Sequence, residues 1–116
     1  MADSILRTKS KEFAKKIVFV CRTMKQNNVE GALTQQLLRS GTSIGANIHE
    51  AQYAQGTKDF ISKLEIALKE CNESEYWLEL LYETSSINKD TFDELHKQCI
   101  ELRRMLVSSV TTLKSK

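Results

Sequence analysis

Residues 39–51 read RSGTSIGANIHEA, a stretch that carries two glycines, two serines and a threonine. All three residue types weaken helices, glycine by about 1 kcal/mol relative to alanine. Yet Leu33, Leu37, Ile44, Ile48 and Ala51 recur through it at spacings of three, four and seven, as one apolar face of a helix requires. The conflict resolves if the helix needs small side chains more than it needs propensity. Ser40, Gly41, Ser43, Gly45 and Ala46 let a neighbouring helix approach closely, and close packing offsets the cost. Two other readings of these residues fail. The Gly41-x-x-x-Gly45 spacing pairs helices in membranes only within an apolar segment, and this one contains Arg39, Asn47, His49 and Glu50. Nor is SGTSIG a phosphate-binding loop, which follows a strand and closes on Lys-Ser or Lys-Thr.

The periodicity continues on both sides of this segment. Leu6, Phe13, Ile17, Val20, Cys21 and Met24 share one face of a first helix, with a turn expected at Asn27-Asn28 before Gly31. Gly56-Thr57 supplies a break and N-cap before Phe60, Leu64, Ala67, Cys71, Leu78 and Leu81 of a third helix. A turn near Ser85 to Lys89 leads into Phe92, Leu95, Cys99, Leu102, Leu106 and Leu113, a seam interrupted by Ser109. The 116 residues contain no proline and only four glycines, which disfavours an all-β fold, and no linker divides them. The expectation is one all-α domain over residues 1–116, an antiparallel up-down-up-down four-helix bundle. The aliphatic run Ile17-Val18-Phe19-Val20 is far shorter than the roughly 18 residues of a membrane span, and the N-terminus lacks a signal-peptide core. A cytoplasmic location is expected, with no membrane partner.

The residues now on the page resemble a known family. Arg39-Ser40, Ser43-Ile44, Asn47-Ile48 and Glu50, then Asp59-Phe60 and Ile66-Ala67-Leu68 within KDFISKLEIALKE, and the acidic, aromatic ESEYWLELL, are similar to the bacterial 23S rRNA intervening-sequence proteins, the S23 or four-helix bundle family. The resemblance spans nearly the whole chain. It implies a homo-oligomeric bundle, a pentamer, with no known catalytic activity and no cofactor. It also implies relatives encoded within large-subunit rRNA genes, and others that serve diversity-generating retroelements as accessory proteins binding a reverse transcriptase and nucleic acid.

Enzyme chemistry finds little support in the residues themselves. His49 and His96 are the two imidazoles, no HExxH is present, and no strand-turn-helix context exists for a nucleophilic serine. His49 reads as a solvated residue beside a helical glutamate and His96 as a hydrogen-bonded boundary residue. An acid/base pair of Glu50 with Glu75 is outweighed by ordinary polar contacts between packed helices. Cys21, Cys71 and Cys99 lack the spacing of a metal site or a disulfide framework and read as small core residues. No catalytic residue and no metal ligand is expected.

Glu75 falls inside the apolar stripe of the third helix, where an unpaired carboxylate would cost several kcal/mol. Antiparallel geometry brings it within a turn of Arg103, the first candidate for a buried ion pair, with Arg39 the second.

Charge is unevenly distributed. Residues 1–28 hold seven Lys and Arg against two Asp and Glu, whereas residues 57–87 hold three against seven. On the first helix Arg7, Lys11, Lys15, Arg22 and Lys25 lie within about 80° of one another, a ladder able to track phosphates. The competing reading is a solvated face, or one paired with the acidic third helix of a neighbouring subunit; the ladder contains no aromatic residue on which bases could stack. Val18 and Phe19 lie off the core stripe of the first helix, and Ile66, Trp77 and Leu80 lie opposite that of the third, so an oligomer interface is expected there. Two functions fit the sequence: an oligomeric scaffold for a protein partner, or an accessory that binds RNA or other nucleic acid.

Overall fold

The computed structural model describes residues 4–116. Four helices form: α1 (Ser4–Gln26), α2 (Gly31–Ala51), α3 (Thr57–Glu83) and α4 (Lys89–Lys114). There is no strand among the described residues. The molecule measures 47 × 21 × 20 Å, about one helix long and two helices wide, since 27 residues rise about 40 Å. Contacts join α1 to α2, α2 to α3, α3 to α4 and α4 to α1, and none joins helices across the diagonal. The result is a four-helix bundle around a single core.

The residue pairs that link neighbouring helices run in opposed sense. Arg7 reaches Gln52 while Cys21 reaches Thr34, Lys63 meets Glu50 while Ser74 meets Ser40, and Lys114 meets Glu65 while Cys99 meets Cys71.

Local chemistry sets the helix ends. Asn28 adopts φ 60°, a left-handed conformation that Asn tolerates better than most residues, and Val29 N–H then donates to Met24 O at 3.0 Å to close α1. Ser85, also at φ 60°, does the same for α3, with Ser86 N–H donating to Leu81 O at 2.8 Å. Asn88 caps α4 by accepting from Thr91 N–H at 2.8 Å. At the break before α3 the N-cap is Gly56, which has no side chain to cap with. Asp59 Oδ2 instead accepts from Gln55 N–H at 3.1 Å, setting a carboxylate at the positive end of the helix dipole.

Nearly every apolar position read from the periodicity is buried, with Val20, Leu33, Phe92 and Leu113 packed at the core edge instead. Periodicity did not identify Val110 and Ile87, which complete the core towards its ends, or the buried serines Ser10, Ser40 and Ser74. Ser74 Oγ donates to Ser40 Oγ at 3.0 Å, so the polar groups satisfy one another where α2 meets α3. All three cysteines are free and buried. Burial pushes the Cys21 thiol up to about 11; the neighbouring Cys99 thiol and burial raise that of Cys71 as well. Cys21 and Cys71 are therefore neutral packing groups at physiological pH.

The small residues of α2 act individually. A Cβ on Gly41 would come within 2.8 and 2.9 Å of Ile17 Cγ1 and Cγ2, inside contact distance of a branched side chain in the core. A Cβ on Gly45 would lie 3.4 Å from the Ser10 carbonyl oxygen, an ordinary contact. The two glycines therefore respond oppositely to alanine. Gly41→Ala is expected to lose about 1–3 kcal/mol through overpacking against Ile17, while Gly45→Ala gains up to about 1 kcal/mol of helix propensity. Urea denaturation of both variants checks this, and equal effects would show that the two glycines share one role.

Candidate functional site

Three polar arrangements lie on the bundle surface. The first joins α2 to α3. Arg39 Nη1 donates to Glu70 Oε1 and Oε2 at 3.2 and 3.3 Å, its Nη2 contacts Glu73 Oε2, and Gln36 Oε1 accepts from the same guanidinium at 3.4 Å. Glu73 in turn accepts from Trp77 Nε1 at 3.2 Å. Arg39 is thus held by α3, but not by Glu75. Successive residues turn by about 100°, so Glu73 and Glu75 leave α3 in nearly opposite directions, one towards α2 and the other towards α4. The other polar residues of the quoted stretch serve their own helix: Ser43 Oγ donates to Arg39 O at 2.6 Å and Asn47 Nδ2 to Ser43 O at 2.8 Å. Glu50 lies 4.0 Å from Lys63 Nζ. Pairing Glu50 with Glu75 for acid/base chemistry is ruled out, since Lys63 and Glu75 are separated by about 18 Å along α3.

The second arrangement joins α3 to α4. Arg103 Nη1 donates to Glu75 Oε1. His96 Nε2 stands 3.3 Å from Glu75 Oε2 and 3.6 Å from Glu79 Oε2, and its ring stacks on Phe92, which stacks on Tyr82. The Glu75 and Arg103 side chains retain 22% and 33% of their exposure, so the ion pair is half-buried at the helix boundary and not in the core. Glu75, Glu79 and His96 offer three donor atoms within 4.8 Å of one another. Arg103 supplies positive charge to Glu75, the central carboxylate of the cluster.

The third is the basic face of α1. Arg7, Lys11, Lys15, Arg22 and Lys25 are all exposed, but they differ in how their charge is met. Lys15 pairs with Glu12 at 3.2 Å, and Arg22 lies over the Phe19 ring at 5.8 Å. Arg7 donates to the neutral amide oxygen of Gln52 at 3.0 Å. Among the described residues Arg7, Lys11 and Lys25 form no ion pair. The lysines of α1 that do cross to another helix, Lys9 and Lys16, reach Glu101 and Glu94 of α4.

The residues expected at an oligomer interface divide as well. Phe19 is 60% exposed and Ile66 39%, while Val18 and Leu80 are half-buried. Trp77, expected opposite the core, instead packs against it. It is half-buried, and its N–H is anchored by Glu73 one turn away. Exposed Tyr53, Tyr76 and Val107 were not singled out by periodicity.

A family model described as "23S rRNA-intervening sequence protein" matches residues 2–108. The chain belongs to that family. A solved structure from Bacteroides thetaiotaomicron, described as a protein with unknown function from the S23 ribosomal protein family, is 46% identical and superposes with a TM-score of 0.88. The match covers 90% of this chain and 97% of that one. No curated protein matches. Among the described residues of this intervening-sequence family member, no helix is long and apolar enough to cross a membrane.

Because Glu75 and Arg103 are half-buried, their coupling should lie between that of an exposed pair, about 0–1 kcal/mol, and the 3–5 kcal/mol of a buried one. A double-mutant cycle of Glu75→Ala with Arg103→Met, read by urea denaturation, is expected to give about 1–2 kcal/mol. A coupling near zero would show that the contact adds nothing to stability.

Proposed function

We propose that the protein is a non-enzymatic scaffold, an antiparallel up-down-up-down bundle that closes with four further copies into a homopentamer. The opposed running of the linking pairs, from Arg7–Gln52 to Lys114–Glu65, supports the antiparallel arrangement. The observation that carries oligomerisation is the set of apolar side chains left bare on a small bundle, Phe19 above all at 60% exposure, with Ile66, Tyr76 and Val107. Covering such surface is the ordinary driving force for association. Sedimentation equilibrium at micromolar concentration is expected to give five times the 13.3 kDa chain mass; a monomer mass would refute the assembly.

A second reading is favoured by one observation, the cations of α1 that no carboxylate among the described residues neutralises: Arg7, Lys11 and Lys25. In this reading the oligomer is an RNA-binding accessory. Repeating the basic face around a ring would convert weak phosphate contacts into avidity although each chain carries a net charge of only +2. Anisotropy titrations with a labelled single-stranded RNA are expected to show binding that weakens steeply with salt and varies little with sequence, since phosphate contacts carry no base information. Lys11→Glu with Lys15→Glu should weaken it uniformly. Absence of binding at low salt, with the oligomer intact, would leave a protein partner as the scaffold's cargo.

A further inference from the structure

One groove on the bundle combines the basic face of α1 with the small-residue stretch of α2. It encloses about 480 Å³ and is lined by Arg7, Lys11, Gly45, Ala46, His49 and Gln52, with three hydroxyl residues and an alanine between them. That volume is in the range of sites for ligands the size of a nucleotide. In a chain with 15 Asp and Glu, not one lines it. Arg7 and Lys11 stand one turn apart on the same side of α1, and among the described residues neither meets a carboxylate, whereas Lys9, Lys15 and Lys16 outside the groove each have a glutamate. The hydrogen bond from Arg7 to Gln52 uses one of five guanidinium donors and leaves the rest for an anion. The hydroxyls of Ser10 and Thr42 give their protons to Arg7 O and Leu38 O, so recognition falls to Arg7, Lys11 and His49. Gln52 also fixes the chain just beyond α2, where Tyr53 is 72% exposed with its ring centroid 5.5 Å from that of His49. The aromatic surface that the basic ladder lacks along α1 thus stands at the end of α2, on His49 of the groove lining and on Tyr53 packed against it.

We propose that this groove is a nucleotide seat: Arg7 and Lys11 hold a phosphate, and Tyr53 with His49 offers a face to the base. The phosphate can belong to a single-stranded RNA, in which case the seat rests on the RNA-binding reading above, or to a free nucleotide, in which case it does not. The seat is sequence-tolerant in either case, because a stacked base is held by its face and not its edge.

The test uses the full chain and two probes, a labelled ten-residue oligouridine followed by anisotropy and uridine monophosphate followed by NMR shifts of the His49 imidazole. Ala46→Glu sets a carboxylate in the groove at an exposed position of α2 that the core does not contact, and its thermal unfolding checks that it folds. Ala46→Glu is expected to weaken binding at least about tenfold, Tyr53→Ala about fivefold or more, and Lys97→Glu on the exposed face of α4 less than about twofold. Oligouridine binding that survives Ala46→Glu unchanged would overturn the seat and leave the RNA-binding reading standing on the rest of the α1 face. Binding of the mononucleotide alone, lost in Ala46→Glu, would establish the seat and remove RNA. If neither probe binds at about 50 mM salt, where phosphate contacts are strong, both fall.

Discussion

Everything in this bundle is arranged around how closely α1 can approach α2. At Gly41 the absence of a Cβ leaves room for the Ile17 side chain, and at Gly45 the α2 surface lies against the Ser10 carbonyl. Each glycine costs the helix about 1 kcal/mol, and a larger residue at Gly41 would force the two helices apart. Because Ile17 is fully buried with Phe13, Ile44 and Ile48, such a displacement would open the core itself. The approach also sets the depth of the groove alongside it, where Arg7 and Lys11 face Ala46 and His49. One packing constraint thus governs both the stability of the bundle and the shape of its most cationic surface.

Two arginines fasten α3 to its neighbours on opposite sides. Arg39 reaches from α2 to Glu70 and Glu73, and Arg103 from α4 to Glu75. Half-buried pairs of this kind contribute modestly to stability, but they discriminate between helix registers, since a slip of one turn would strand a carboxylate at the edge of the core. Three of the seven acidic residues of α3 are counter-ions to these two arginines within the same chain. The basic character of α1 is different in kind. Lys9 and Lys16 fasten α1 to α4, while Arg7, Lys11 and Lys25 meet no carboxylate among the described residues.

Four helices, their turns and nearly all of the core were legible in the sequence. A buried stripe with a period near 3.6 identifies itself wherever leucine, isoleucine and phenylalanine recur, and Asn28, Ser85 and Asn88 lie where the chain turns. The resemblance carried by Arg39, Ser43, Asn47 and Glu50 identified the family as well, although these residues are polar, because their register is independent of what they touch. Ser40 was legible as a small packing residue, but its bond to Ser74 was not, because a serine's partner is known only in the fold, here another serine 34 positions away. Trp77, placed opposite the core, packs against the core edge instead, since its position lies about 100° round the helix from that of buried Leu78.

Pairing between helices was decided by the tertiary structure alone. Periodicity places a residue around its own axis but says nothing of the axial register or rotation of the neighbour, and salt bridges depend on both. The sequence therefore determined that α1 is basic and α3 acidic, and that Glu75 needs a cation. The fold determined that Arg103 supplies that cation while Arg39 goes to Glu70 and Glu73, and which lysines of α1 are neutralised. It also brought His49 and Gln52 to the same groove as Arg7, residues more than 40 positions apart in the chain.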